Sequence, residues 1–174
     1  MPQFEDGPYC PFMGLRAPQV ARHALATIKG GSLYPNIKGT VYFTQVPRGT
    51  EVIVKVYGLP KYAPATASTP QIGPHGFHIH AGGSCLEGNP SKPFSGSDGH
   101  WNPKNQPHGN QAGDFPVLFS NNGYAQISFF TDKFYPSEII GKTVAIHLGP
   151  DDFKTQPSGG SGIIIACGVI KAVG

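Results

Sequence analysis

The chain has 174 residues, 24 of them glycine and 18 proline, with 13% charged residues and a formal net charge of +3. That length suits one domain with a sizeable core, and 39% apolar residues with little charge do not fit an intrinsically disordered chain. No run of lysine or arginine marks a nucleic-acid footprint, and no stretch is long and apolar enough to span a membrane.

Residues 1–20 show no alternation and read as an N-terminal extension, followed by one domain over 21–174. The first residues lack the basic start and apolar core of a signal peptide, so the expectation is a chain that is not exported or has lost its leader. From there, strand patterns follow at 24–29, 37–45, 50–57, 76–80, 115–119, 124–131, 143–147 and 162–170. In 50–57, Val52, Val54 and Val56 can share one face, with Glu51, Ile53 and Lys55 on the other. Turn residues separate the strands: Pro47-Arg48-Gly49, Asn122-Gly123 and Gly141. Asn122-Gly123 between two apolar runs is a hairpin signal. No helix beyond a turn or two is expected, so the fold class is all-β, with about eight antiparallel strands. Two long segments, 81–113 and 148–161, break the short-turn pattern and read as functional loops.

Three cysteines, Cys10, Cys85 and Cys167, form no CxxC pair. Two can pair with one left over, or all three can be free thiols; spacing does not choose.

Six of the seven histidines lie between positions 75 and 147. His78 and His80 are two apart, which on a strand points both imidazoles to one face. His100 and His147 add further imidazoles, so His78, His80, His100 and His147 are the candidate metal site. Imidazole alone does not choose among copper, zinc, iron and nickel. Asp114 can complete a zinc-type N/O set with His100 and His108. Asp151 and Asp152 follow His147 and offer a carboxylate that could orient a metal-bound imidazole.

Together, Gly76-Phe77-His78-Ile79-His80, His100-Trp101-Asn102-Pro103, Ala112-Gly113-Asp114 and Ala166-Cys167-Gly168-Val169-Ile170 resemble the copper/zinc superoxide dismutase family. The motifs stand in the family's order over roughly 22–171. Gly83-Ser84-Cys85 and the run from Asp151 to Pro157 are similar to the bacterial branch. The resemblance implies a Greek-key β-barrel or sandwich and a redox enzyme whose substrate is the superoxide anion. It implies copper on His78, His80, His100 and His147, the catalytic set, with His100 bridging to zinc. It implies zinc on His100, His108 and Asp114, and Asp151 as the carboxylate linking His78 to His108. It implies a Cys85–Cys167 disulfide and a structural His75. Such a disulfide fits an oxidising setting, outside the cytoplasm or at the cell surface. His23 and Cys10 match nothing functional. No nucleic-acid or membrane partner is expected, and no extra apolar face tells monomer from homodimer.

Two positions depart from the family pattern. Gln111 stands where a third zinc histidine is expected, and a neutral amide is a poorer ligand than imidazole, so zinc is expected to bind weakly or not at all. Ile164 stands where an arginine beside the copper is expected. Losing that charge-assisted contact to an anion costs on the order of 1.5–3 kcal/mol. Lys104 and Lys154 are the expected sources of a replacement charge. The leading expectation is a dismutase of reduced efficiency; the alternative is a copper-holding, metal-buffering protein with little or no dismutase activity.

Overall fold

In the computed structural model, residues 20–174 are described. The expected extension, Val20 apart, and Cys10 lie outside that range. Seven strands follow: β1 (His23–Gly30), β2 (Lys38–Val46), β3 (Gly49–Tyr57), β4 (Phe77–His80), β5 (Tyr124–Thr131), β6 (Thr143–His147) and β7 (Ile164–Val173). Among the described residues, helix is limited to two 3-10 turns, Ser95–Ser97 and Pro136–Glu138. The strands form one curled sheet in the order β4-β6-β7-β1-β2-β3-β5, with every ladder antiparallel. The chain thus leaves β3 at one side of the sheet and re-enters at the opposite edge as β4, a crossover that makes a long connection unavoidable.

Alternation puts the core where the sequence placed it. Ala24, Ala26 and Ile28 of β1, Val41 and Phe43 of β2, and Val52, Val54 and Val56 of β3 are fully buried, while Glu51, Lys55 and Tyr57 are exposed. Asn122 and Gly123 both take positive φ, 52° and 84°, the backbone that a two-residue hairpin matching strand twist requires.

The segment 115–119 departs from expectation. Instead of an eighth regular strand, it meets the stretch before β4 through one isolated bridge, His75 with Leu118, while the preceding Asp114 bridges His78 of β4. Pro116 has no N–H to donate, so a continuous ladder through this segment is interrupted. Paired main-chain bonds remain only at Leu118, whose N–H donates to His75 and whose carbonyl accepts from it, both at 2.9 Å.

β4 and β6 differ from the other strands because they are buried on both faces. Phe77 and Ile79 face the core, and Phe77 packs on Phe115 with ring centroids 5.2 Å apart. The opposite face, carrying His78 and His80, is covered by the two long loops. A disulfide, Cys85–Cys167, ties the first loop to β7 across a sequence separation of 82 residues. The Glu87 carboxylate adds a second tie by accepting from the Ser32 N–H at 2.7 and 2.9 Å. Replacing both Cys85 and Cys167 with serine is expected to lower unfolding stability by about 2–4 kcal/mol, because closing a long loop restricts the unfolded chain. Urea midpoints of the variant and the parent measure this, and equal midpoints would rule it out.

Candidate metal centre

His78 and His80 leave β4 on the same side, and His147 ends the neighbouring β6 beside them. The β6–β7 register shifts between Ile146 and His147, a local irregularity at the one histidine of β6. His100 is brought in from the first long loop by a bridge to His80. The four imidazoles each offer a nitrogen, and these atoms lie within 4.8 Å of one another. His100, His108 and Asp114 form a second cluster under the same limit, with His100 shared by both. Every sequence-expected ligand is therefore drawn into one or both clusters.

Outer hydrogen bonds set which nitrogen faces inward. His80 Nδ1 lies 2.7 Å from the Asp98 carbonyl, and His147 Nδ1 lies 3.0 Å from the Gly162 carbonyl. A carbonyl only accepts, so each Nδ1 carries the proton and each Nε2 carries a lone pair. Those two Nε2 atoms sit 3.3 Å apart. Neither can donate to the other in this tautomer, so two lone pairs converge, which suits a cation placed between them. His78 is held the other way round: its Nε2 lies 2.6 Å from Asp151 Oδ2, and its buried Nδ1 has no hydrogen-bond partner. His100 Nε2 is likewise buried and unpartnered. The four free lone pairs and their fixed outer partners match the donor set that copper takes from neutral imidazole.

Asp151 joins the clusters. Its Oδ2 accepts from His78, and its Oδ1 accepts from His108 Nε2 at 2.8 Å and from the Phe153 N–H at 2.7 Å. Gly159, with φ at 67°, lets the second loop lie against this carboxylate, since a Cβ there would collide with both Asp151 and His108. Gln156 brackets His108 by accepting its N–H at 2.9 Å. His75 Nδ1 donates to the carbonyls of His147 and Leu148 at 2.9 and 3.0 Å, so it ties loops together and is not a member of either cluster.

Burial keeps these imidazoles neutral. It is the largest cause pushing His78, His80 and His147 down to about 3 from 6.5. Burial pushes the Asp151 carboxyl up, but hydrogen bonds from His78 and His108 outweigh it and hold the group below its ordinary value. A linkage follows for the metal-free protein. Between about 6.5 and 3 the unfolded chain binds more protons at these histidines than the folded one, so stability falls as pH drops through that window. Thermal midpoints of metal-free protein should fall from pH 6.5 downward, with net proton uptake on unfolding. A flat profile would show the imidazoles are not buried neutral.

A cavity of about 440 Å³ opens beside His147. Ile164 lines it and pairs with His147 across the β6–β7 ladder, so the expected arginine position opens on the same space. Lys92 also lines this cavity, whereas Lys104 and Lys154 are not among its lining residues. Nothing in the spacing around Lys92 marks it, because its approach depends on how the loop folds back over β6. The carbonyls of Asp98 and Gly162 were also invisible, since every residue has one.

Comparison with known proteins agrees with this geometry. The family profile for "Copper/zinc superoxide dismutase (SODC)" matches residues 37–170. The chain is 31% identical over 157 residues to superoxide dismutase [Cu-Zn] of Deinococcus radiodurans, covering 79% of each chain. It is 36% identical over 141 residues to that of Legionella pneumophila, covering 76% of this chain and 77% of the relative. The solved Cu/Zn superoxide dismutase from Brucella abortus superposes with a TM-score of 0.67 at 26% identity, over 84% of this chain and 98% of that one. With its motifs, its curled antiparallel sheet and its two histidine clusters in agreement with these matches, the chain belongs to the copper/zinc superoxide dismutase family.

Proposed function

We propose that this chain is a copper-dependent superoxide dismutase slowed by the absence of a fixed cation at position 164. The observation that carries the reading is that His78, His80, His100 and His147 each offer a ring nitrogen within 4.8 Å of the others. Copper, which the family uses with zinc, supplies when bound the one-electron chemistry that turns two superoxide anions and two protons into oxygen and hydrogen peroxide. The chain's own residues do the rest. Asp98, Gly162 and Asp151 hold three of the rings in the ligating tautomer. His100 can take a proton at Nε2, the ring nitrogen with no protein partner. Lys92 offers a positive charge along the cavity to an incoming anion, without the rigid two-point contact an arginine would make.

A second reading, a copper-holding protein with little turnover, is favoured by Ile164 and Gln111 together. Metal analysis and a superoxide assay of the copper-loaded protein separate the two. The dismutase reading expects about one copper per chain and turnover that falls further, with a weaker salt dependence, in Lys92→Ala. One bound copper with no turnover supports the buffering protein. Failure to bind copper removes both.

A further inference from the structure

Gln111 stands beside the second cluster, its main-chain N–H donating to Asp114 Oδ2 at 2.9 Å. Gln111, on the turn just before Asp114, is 6% exposed. Its side-chain nitrogen faces the Pro157 carbonyl at 3.5 Å. A carbonyl only accepts, so that face of the amide must be the nitrogen, and Oε1 points away from it. Oε1 is buried and has no hydrogen-bond partner among the described residues.

Of the neighbouring groups, His108 Nδ1 is likewise buried and without a hydrogen bond among the described residues. Asp114 Oδ2 is occupied by the N–H groups of Gly109 and Gln111, at 2.8 and 2.9 Å. Its Oδ1 accepts from His100 Nδ1 at 3.1 Å and also lies 3.1 Å from His108 Nδ1. His108 donates from Nε2 to Asp151, so its Nδ1 carries a lone pair. His108 Nδ1 approaches Asp114 Oδ1 closely, yet it makes no hydrogen bond among the described residues. Two acceptors facing each other without a proton repel, and a cation between them removes the conflict. A separation near 3 Å also suits two donors that each bind a tetrahedral ion at roughly 2.0–2.2 Å.

We infer that Gln111 Oε1 is the fourth donor of this second site, making it a two-nitrogen, two-oxygen site for a divalent cation of the zinc or cobalt type. This deepens the metal-centre reading and rests on it for His100, which serves both clusters. A residue chosen only to fill space would leave no orphaned oxygen; leucine has nearly the same size and none. An amide oxygen is a harder and weaker donor than imidazole, so the site holds its ion less tightly than a three-histidine site while still being closed by protein.

The test uses protein loaded with copper in its reduced, colourless state and titrated with cobalt(II), whose four-coordinate complexes absorb strongly in the visible. Zinc competition then gives zinc affinity, and copper content is measured in every sample. Wild type is expected to show the four-coordinate spectrum. Gln111→Leu should lose it and weaken both ions by roughly tenfold or more, a loss on the scale seen when metal-site support is removed. Gln111→His should bind more tightly than wild type, which keeps the test decisive if the leucine variant folds poorly. Equal affinity and spectrum in wild type and Gln111→Leu overturns the inference, as does a histidine variant that binds no better. Absence of cobalt binding with copper in place also overturns it and leaves the copper reading standing; loss of copper binding itself is the separate failure of that reading.

Discussion

Replacing Ile164 with arginine is expected to raise kcat/KM for superoxide roughly ten- to a hundredfold at low salt. Ile164 is half-buried on β7, paired with His147 and facing the cavity beside it. An arginine there would extend into that space with its charge close to the ligating ring. A charge-assisted hydrogen bond to an anion contributes on the order of 1.5–3 kcal/mol, and each 1.4 kcal/mol is about tenfold in rate. The new charge should also steepen the fall in rate with ionic strength, since anion attraction is screened within about 10 Å at 0.1 M salt. Stopped-flow measurement at two salt concentrations, with copper content matched, is the check. An unchanged rate at equal copper loading would mean that position 164 does not meet the anion.

Asp151→Asn should weaken metal binding at both clusters at once, by roughly 10–100-fold each. The carboxylate accepts from His78 with one oxygen and from His108 with the other. Asparagine keeps the volume but presents an N–H₂ to one of two rings that are already donating. One imidazole must then change tautomer or lose its partner, and a mis-set ring turns a proton toward the metal. Competition against a chelator of known affinity, for copper and for zinc or cobalt in parallel, reads the effect. Loss at one cluster only would show that Asp151 does not couple them.

How much of this was legible in the linear chain differs residue by residue. His78 and His80 were readable as a pair because strand geometry repeats every two residues, whatever surrounds the strand. Val52, Val54 and Val56 were readable as core for the same reason. Segment 115–119 was not, because its alternation is that of a strand while Pro116 removes a donor the ladder needs. Gln111 was read as a lost ligand from its side-chain chemistry alone. Its orphaned oxygen appears only once Pro157, 46 residues later in the chain, engages the amide nitrogen. Lys92 was passed over in favour of Lys104 and Lys154, since nothing local in the chain says which loop lysine folds toward His147.

The all-β class, the strand faces and the identities of the metal-seeking side chains were therefore written into the residue order, because each depends on short-range periodicity or on intrinsic chemistry. Which lone pair of each imidazole faces inward, and that Ile164 and Lys92 border one cavity, came from the folded arrangement. Those features rest on contacts between residues tens of positions apart, made by backbone carbonyls and loop packing that no local pattern encodes.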